Sequence, residues 1–178
     1  ITGGPENFNK LETQVKSTSL RQAATELIYD CLLVKKGVIE IDEYEADYRR
    51  VLNYGHTFGH ALEAFTEHEV PHGVGVAWGI DVINYIAYQT FDFDKNTALR
   101  IRGFIKDHLF FKSEKIPTSD DLLKAAQRDK KMVGTKLNIV IPAKLGELRI
   151  VPVELSSKFQ NLLDNYLANE NVFSSSQK

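Results

Sequence analysis

Apolar residues recur every three or four positions along most of this chain, and the period changes to alternation only near its end. A 3.6-residue period buries one stripe of a helix, whereas a two-residue period buries one face of a strand. The spacing predicts a helix from Ser19 to about Val38, carried by Leu20, Ala23, Ala24, Leu27, Ile28 and Cys31, with Ser19 as N-cap. A second helix is expected from about Asp47 to Glu67 and a third from His72-Gly73. A fourth runs through Ala98, Ile101 and Ile105 with Asp94 or Asn96 as its cap, and Pro117-Thr-Ser-Asp-Asp opens a short fifth. Leu137–Pro142 and Leu148–Val151 then read as two short strands joined around Lys144-Leu-Gly-Glu147, and Leu155–Asn169 reads as a last amphipathic helix. The expected fold class is therefore mainly α with one small β-hairpin. It forms one domain over residues 1–170, followed by a frayed serine-rich tail at 171–178.

Composition narrows the function. With 43% hydrophobic residues the chain can bury a core, which excludes a disordered segment. Lys+Arg 22 against Asp+Glu 24 leaves a net charge of -2, so the electrostatic footprint of a phosphate-binding nucleic-acid partner is missing. The most apolar stretch, Val74 to Tyr88, is interrupted by Asp81 and Asn84 and falls short of the ~20 residues a bilayer needs. No membrane partner is expected. The start Ile1-Thr-Gly-Gly-Pro-Glu lacks the basic and apolar regions of a signal peptide, so a cytoplasmic location is expected. An initial Ile where a native chain carries Met suggests a piece excised from something longer, or a removed leader. Cys31, the sole cysteine, excludes an intrachain disulfide and a CxxC zinc site; its apolar helical run predicts a buried structural thiol.

Chemistry-bearing residues concentrate in Arg49-Arg-Val-Leu-Asn53-Tyr-Gly-His56-Thr-Phe-Gly-His60-Ala-Leu-Glu63. On one continuous helix Asn53, His56, His60 and Glu63 share a face, within about 80° of one another, and Phe58, Leu62 and Phe65 point the other way. Histidines at i and i+4 converge on one point, as a metal pair or as one ligand plus one general acid–base. A helix turning back after Glu67 would bring His72 beside His56. Thr57 after His56 excludes the zincin motif, which needs Glu there. Gly55 and Gly59, each costing ~1 kcal/mol in a helix interior, point to close backbone packing or a nearby ligand. Elsewhere, Trp78 reads as core, His68 as solvated, His108 as half-buried and Arg128-Asp-Lys-Lys131 as a charged surface turn.

The run Leu52-Asn-Tyr-Gly-His-Thr-Phe-Gly-His-Ala-Leu-Glu63 followed by His72-Gly73 resembles the signature of dehydroquinate synthases and related sugar-phosphate cyclases. Upstream, Lys35-Lys-Gly-Val-Ile-Glu-Ile-Asp-Glu-Tyr-Glu45-Ala-Asp-Tyr-Arg49 is similar to that family's lysine, Asp-Glu-x-Glu and arginine block. Downstream, Arg128-Asp-Lys-Lys131 and Lys144-Leu-Gly-Glu147 resemble its later elements, so coverage runs from about Lys35 to Arg149. The resemblance implies the family's helical metal- and substrate-binding C-terminal domain. It implies His56 and His72 as metal ligands, His60 as the active-site histidine assisting proton transfer, and Glu45 as the acid supporting the polar network. Lys35 and Arg49 would hold a carboxylate and adjacent hydroxyls; Asn53 and Lys130 or Lys131 would hold a phosphate.

The implied reaction is cyclisation of an anionic sugar phosphate, the small-molecule partner, with phosphate elimination. The implied cofactors are NAD, bound by an N-terminal domain outside this sequence, and Zn2+ or another divalent metal such as Co2+. The third metal ligand is expected to be a glutamate in an Ala-Glu-Val-Ile-Lys-like helix before Ile1, and the full-length enzyme is expected to be a homodimer. This fragment alone would then be inactive. Val74, where most dehydroquinate synthases carry Glu, departs from the pattern. Competing readings are a cyclase acting on glucose 6-phosphate or sedoheptulose 7-phosphate (a 2-deoxy-scyllo-inosose or epi-valiolone synthase), a metal-dependent alcohol dehydrogenase relative, and a non-catalytic helical module. The Lys35, Arg49, Asn53 and Arg128-Asp-Lys-Lys131 set speaks against the dehydrogenase, because a simple alcohol offers no anion to bind.

Overall fold

Seven α-helices and a three-stranded antiparallel sheet make up the described part of the chain, a computed structural model that describes residues 1–17, 20–108, 115, 117–127, 132–133 and 136–171. The helices are α1 (Gly4–Ser17), α2 (Leu20–Ile41), α3 (His56–Phe65), α4 (His72–Thr90), α5 (Lys95–His108), α6 (Ser119–Gln127) and α7 (Ser157–Asn169). The strands are β1 (Met132–Val133), β2 (Lys136–Lys144) and β3 (Glu147–Glu154), in spatial order β1-β2-β3. The mainly α class with a small hairpin is the observed architecture; β1 adds a two-residue third strand to the hairpin. No helix among the described residues is long and apolar enough to cross a membrane.

Side-chain caps open three of the helices. Asp94 accepts from the backbone of Thr97 at 2.7 Å and opens α5. Thr118 and Asp121 exchange reciprocal bonds, Thr118 N–H to Asp121 Oδ2 at 3.0 Å and Asp121 N–H to Thr118 Oγ1 at 3.2 Å, a capping box that starts α6. Ser156 caps α7 through Phe159 N–H. Gly146, at φ +84°, supplies the left-handed residue of the β2–β3 turn, where its N–H donates to Ile1 O at 3.0 Å. Ser19, the expected cap of α2, lies outside the described residues, as does the chain after Asn171.

The core centres on α4. Trp78, Val82, Ile83 and Ile86 are almost fully buried there, joined by Phe58 of α3, Ile101 of α5, Leu122 of α6, Ile139 of β2 and Leu163 of α7. Asp81 is buried on the same helix and is held by Arg102 at 2.9 Å and by the Tyr166 hydroxyl at 2.8 Å. Arg102 also pairs with Glu170, so the four charged and polar groups tie α4, α5 and α7 together. A buried acid with such partners satisfies the rule that interior charges are paired and hydrogen-bonded. Trp78 Nε1–H donates to Asn171 at 2.9 Å, which buries the first residue of the expected tail.

Two expectations change, and one element is added to those expected. The helix expected over Asp47–Glu67 is two elements, a 3-10 helix at Tyr48–Asn53 and then α3. Gly55, at φ +81°, breaks it, and a Cβ there would meet Val76 O and Ile80 Cγ1, both at 2.6 Å. The break lets α4 approach the α3 backbone. The added element is α1, formed by the polar N-terminal stretch and anchored by buried Phe8. Secondly, Cys31 is exposed, because the α2 stripe holding Ile28 and Leu32 faces out of this fold, those two at 59% and 58% exposure. The remaining assignments agree: Trp78 is buried, His68 exposed and His108 half-buried against Phe104.

Candidate functional site

Two helices create the site by lying unusually close. Gly59 and Gly79 carry the contact: a Cβ on Gly59 would sit 2.9 Å from Gly75 O and Val76 N, and one on Gly79 would sit 2.7 Å from Gly59 N and closer still to Gly55 O. Only residues without a side chain permit this approach. The chain leaves α3 through Glu67 and His68, both in left-handed conformation (φ 53° and 63°), and re-enters at Pro71 with α4. That reversal puts His72, the first residue of α4, opposite His56 and His60 on α3.

The three imidazoles form a triangle. Ring centroids lie 5.3 Å apart for His56–His60, 5.4 Å for His56–His72 and 5.6 Å for His60–His72. One nitrogen from each falls within 4.8 Å of the others, His56 half-buried and the other two exposed. Among the described residues this is the one group of three or more such donors. Imidazole nitrogen suits zinc and cobalt, whose bonds to it are ~2.0–2.1 Å. Converging donors of this type fit a divalent metal, with His56, His60 and His72 as the residues able to hold it.

Beside the triangle lies a cavity of about 540 Å³ whose wall includes His56, Asn53, Arg49, Glu45 and Lys35. The polar residues singled out from the sequence thus meet in one place, although they come from three elements. Lys35 projects from α2, Glu45 belongs to the following loop at φ 56°, and Arg49 and Asn53 belong to the 3-10 helix. Asn53 therefore reaches the site from before the Gly55 break, not from one helical face shared with the histidines. Lys130 and Lys131 lie outside the described residues. Arg49 Nη1 donates to Glu43 O at 2.7 Å, and neither Arg49 nor Lys35 pairs with a carboxylate among the described residues. Asp30, also in the wall, is taken up by Lys10 at 2.6 Å. Lys35 and Arg49 bring two cations to this wall, Arg49 also lying in the field of the Asp42 carboxylate, and such a pair can meet an anion.

Asp42 organises the loop and was not singled out individually from the sequence. Its carboxylate accepts the backbone N–H groups of Ala46, Asp47 and Arg49 at 2.9, 2.8 and 2.9 Å. The Arg49 bond, then those of Asp47 and Ala46, hold its carboxyl below the usual carboxylate range. An Asp six residues ahead of the 3-10 helix, within reach of backbone N–H groups on its C-terminal side, was the available sign. Glu63 was also left without a partner in the sequence; it lies 2.8 Å from Nδ1 of His72, a contact between helices that periodicity does not specify.

The profile of the 3-dehydroquinate synthase C-terminal family matches residues 1–132. The 3-dehydroquinate synthase of Clostridium perfringens is 35% identical over 143 residues, covering 80% of this chain and 41% of that protein. That of Solibacter usitatus is 36% identical over 131 residues, covering 73% of this chain and 37% of that protein. The chain thus spans about two-fifths of the length of these relatives. Among solved structures, 2-epi-5-epi-valiolone synthase from Streptomyces hygroscopicus subsp. jinggangensis, with NAD+ and Zn2+ bound, shares the fold at TM-score 0.76 and 18% identity, over 92% of this chain and 46% of that one. A 2-deoxy-scyllo-inosose synthase complexed with carbaglucose-6-phosphate, NAD+ and Co2+ does so at TM-score 0.68 and 19% identity, over 84% of this chain and 42% of that one.

Proposed function

We propose, from the premise that the chain belongs to the 3-dehydroquinate synthase C-terminal family, that it is the metal- and substrate-binding part of a 3-dehydroquinate synthase-like lyase. Its substrate would be 3-deoxy-D-arabino-heptulosonate 7-phosphate, closed to 3-dehydroquinate with loss of phosphate. The observation that carries this reading is the histidine triangle standing beside a cavity lined by Lys35, Glu45, Arg49 and Asn53. A carboxylated sugar phosphate has an anion at each end, and this wall offers a guanidinium and an ammonium for one of them.

His56 and His72 would hold a Zn2+ or Co2+ ion, with a glutamate from outside this chain as third ligand. When bound, the metal polarises a substrate hydroxyl and NAD accepts and returns its hydride. The chain's own residues have separate tasks. Arg49 and Lys35 orient the substrate carboxylate and neighbouring hydroxyls, Asn53 with Lys130 or Lys131 holds the phosphate, and Glu45 balances the cations. His60 carries protons to and from substrate oxygen, a role open to an imidazole because its ring nitrogens can both donate and accept. The described strands are all antiparallel and form no βαβ unit, so the dinucleotide is assigned to another part of the protein. The 178-residue chain alone would accordingly not turn over, and the full-length protein would be a cytoplasmic homodimer.

The test is phosphate release and product analysis with the full-length protein, NAD and Zn2+. 3-Deoxy-D-arabino-heptulosonate 7-phosphate should be converted to 3-dehydroquinate, and Arg49→Ala should raise its KM by tenfold or more, on the order of one lost charge-assisted bond. Turnover of glucose 6-phosphate or sedoheptulose 7-phosphate instead would overturn the substrate assignment in favour of the sister cyclases. Turnover of simple alcohols alone would overturn the lyase reading.

A further inference from the structure

The three imidazoles differ in what their Nδ1 atoms meet. His72 Nδ1 lies 2.8 Å from Glu63 Oε1, and His56 Nδ1 lies 3.3 Å from the carbonyl oxygen of Tyr54. An ionised carboxylate and a carbonyl only accept, so a neutral imidazole in such a contact carries its proton on Nδ1 and its lone pair on Nε2. His60 makes no hydrogen bond with the described residues. Two of the three rings thus have an acceptor at Nδ1.

We infer that Glu63 is a positioning residue of the metal centre, which fixes the tautomer and orientation of His72 so that Nε2 is presented to the ion. This inference rests on the metal-site reading proposed above. Three observations support it. The Glu63 side chain is only 12% exposed while that of His72 is 59% exposed, so a largely buried carboxylate spends its one visible polar contact on an exposed ring. No lysine or arginine among the described residues pairs with Glu63, which leaves His72 as its partner. Gly75 clears the way: a Cβ there would sit 3.0 Å from Glu63 Oε1 and 3.2 Å from its Cγ. The fold thus leaves a side chain out of α4 where the Glu63 side chain crosses it. Ligating histidines bonded in this way to a carboxylate are better oriented and more basic. Tyr54 serves His56 in parallel, its ring buried and its hydroxyl donating to Asn84, which fixes the carbonyl that His56 meets.

The experiment uses the full-length protein with Co2+ as probe, its affinity measured by chelator competition and its environment by the visible spectrum. Glu63→Ala should weaken Co2+ binding about 10–100-fold and shift the visible bands, and Glu63→Gln, whose carbonyl still accepts from Nδ1–H, should recover part of the loss. In the metal-free protein, histidine 15N shifts should report His72 as the Nδ1–H tautomer in the parent and in Glu63→Gln. They should report a tautomer average in Glu63→Ala. Should Glu63→Ala not fold, the parent tautomer and the Gln variant decide the matter. An Nε2–H tautomer for His72 in the parent overturns the inference. So does Co2+ affinity unchanged within about twofold in Glu63→Ala, with His72→Ala losing the ion. Equal Co2+ binding by the parent, His56→Ala and His72→Ala overturns the metal-site reading itself.

Discussion

Replacing Gly79 by Ala adds one methyl group at the point where α3 and α4 touch through their backbones. That methyl would stand 2.7 Å from Gly59 N and nearer still to Gly55 O, and neither atom belongs to a side chain that can swing away. Restoring an ordinary contact of at least 3.4 Å requires the helices to part by roughly 1 Å, and a gap of that size forfeits about a quarter to a half of the dispersion attraction across it. The two helices bury Phe58, Leu62, Trp78 and Val82, each worth ~1.5–3 kcal/mol when fully packed. Together with the strain of over-packing, about 1–3 kcal/mol, the expected loss is on the order of 5 kcal/mol, within a range of about 3–9. At ~2–4 °C per kcal/mol for a domain of this size, calorimetry should record a fall in Tm on the order of 10 °C. The same separation carries His72 away from His56 and His60, so Co2+ affinity should fall with stability. Gly37→Ala and Gly103→Ala are the controls, since a Cβ at either meets nothing within 4 Å. Both lie inside helices and should be neutral or stabilising by up to ~1 kcal/mol. A Gly79→Ala protein that melts within a degree of the parent would refute the close-contact argument.

Asp42→Ala should loosen the loop carrying Glu45 and Arg49, raising KM for the sugar phosphate on the order of tenfold with kcat less affected, read from initial rates. Cys31 lies exposed in the cavity wall, so iodoacetamide should label the native protein and saturating substrate should slow labelling; an unchanged rate would place the substrate elsewhere. The side chain and then the backbone N–H of Thr97 hold the Asp94 carboxyl below its ordinary range. A depressed carboxyl contributes stability above its unfolded pKa of ~3.9 and loses it as pH falls through the folded value, so Asp94→Asn should flatten the acid limb of a Tm–pH profile.

Periodicity told the helices from the hairpin and placed α7 to within a residue or two, and cap chemistry did the same for the starts of α5 and α6, because both signals are local. The approach of His72 to the α3 histidines was also legible, since an i, i+4 pair followed by a short reversal leaves few other places for the next helix. What stayed hidden was non-local. The break at Gly55 depends on the α4 backbone at Val76 and Ile80, which no window around Gly55 contains. Cys31 was misplaced because an apolar stripe states that a face favours cover, not that this part of the chain supplies it. Phe8 anchors α1 with few apolar companions in a stretch of Glu, Asn and Lys, too thin a pattern to read as a helix. Glu63 sat on the right face, yet its partner stands on another helix.

The histidines hang from α3 and α4, among the most deeply buried parts of the molecule, whereas Lys35 and Glu45 rest on α2 and its loop, which are mostly exposed. Opening free energies should follow that division, with amides around Glu45 exchanging with solvent well before those of Phe58 or Val82. Mutation then has two unequal territories. Changes on α2 and its loop can reshape the cavity wall at little cost to folding, while changes at the helix crossing endanger the whole domain. A scaffold partitioned in this way lets the cavity wall vary while the histidine triangle stays in place.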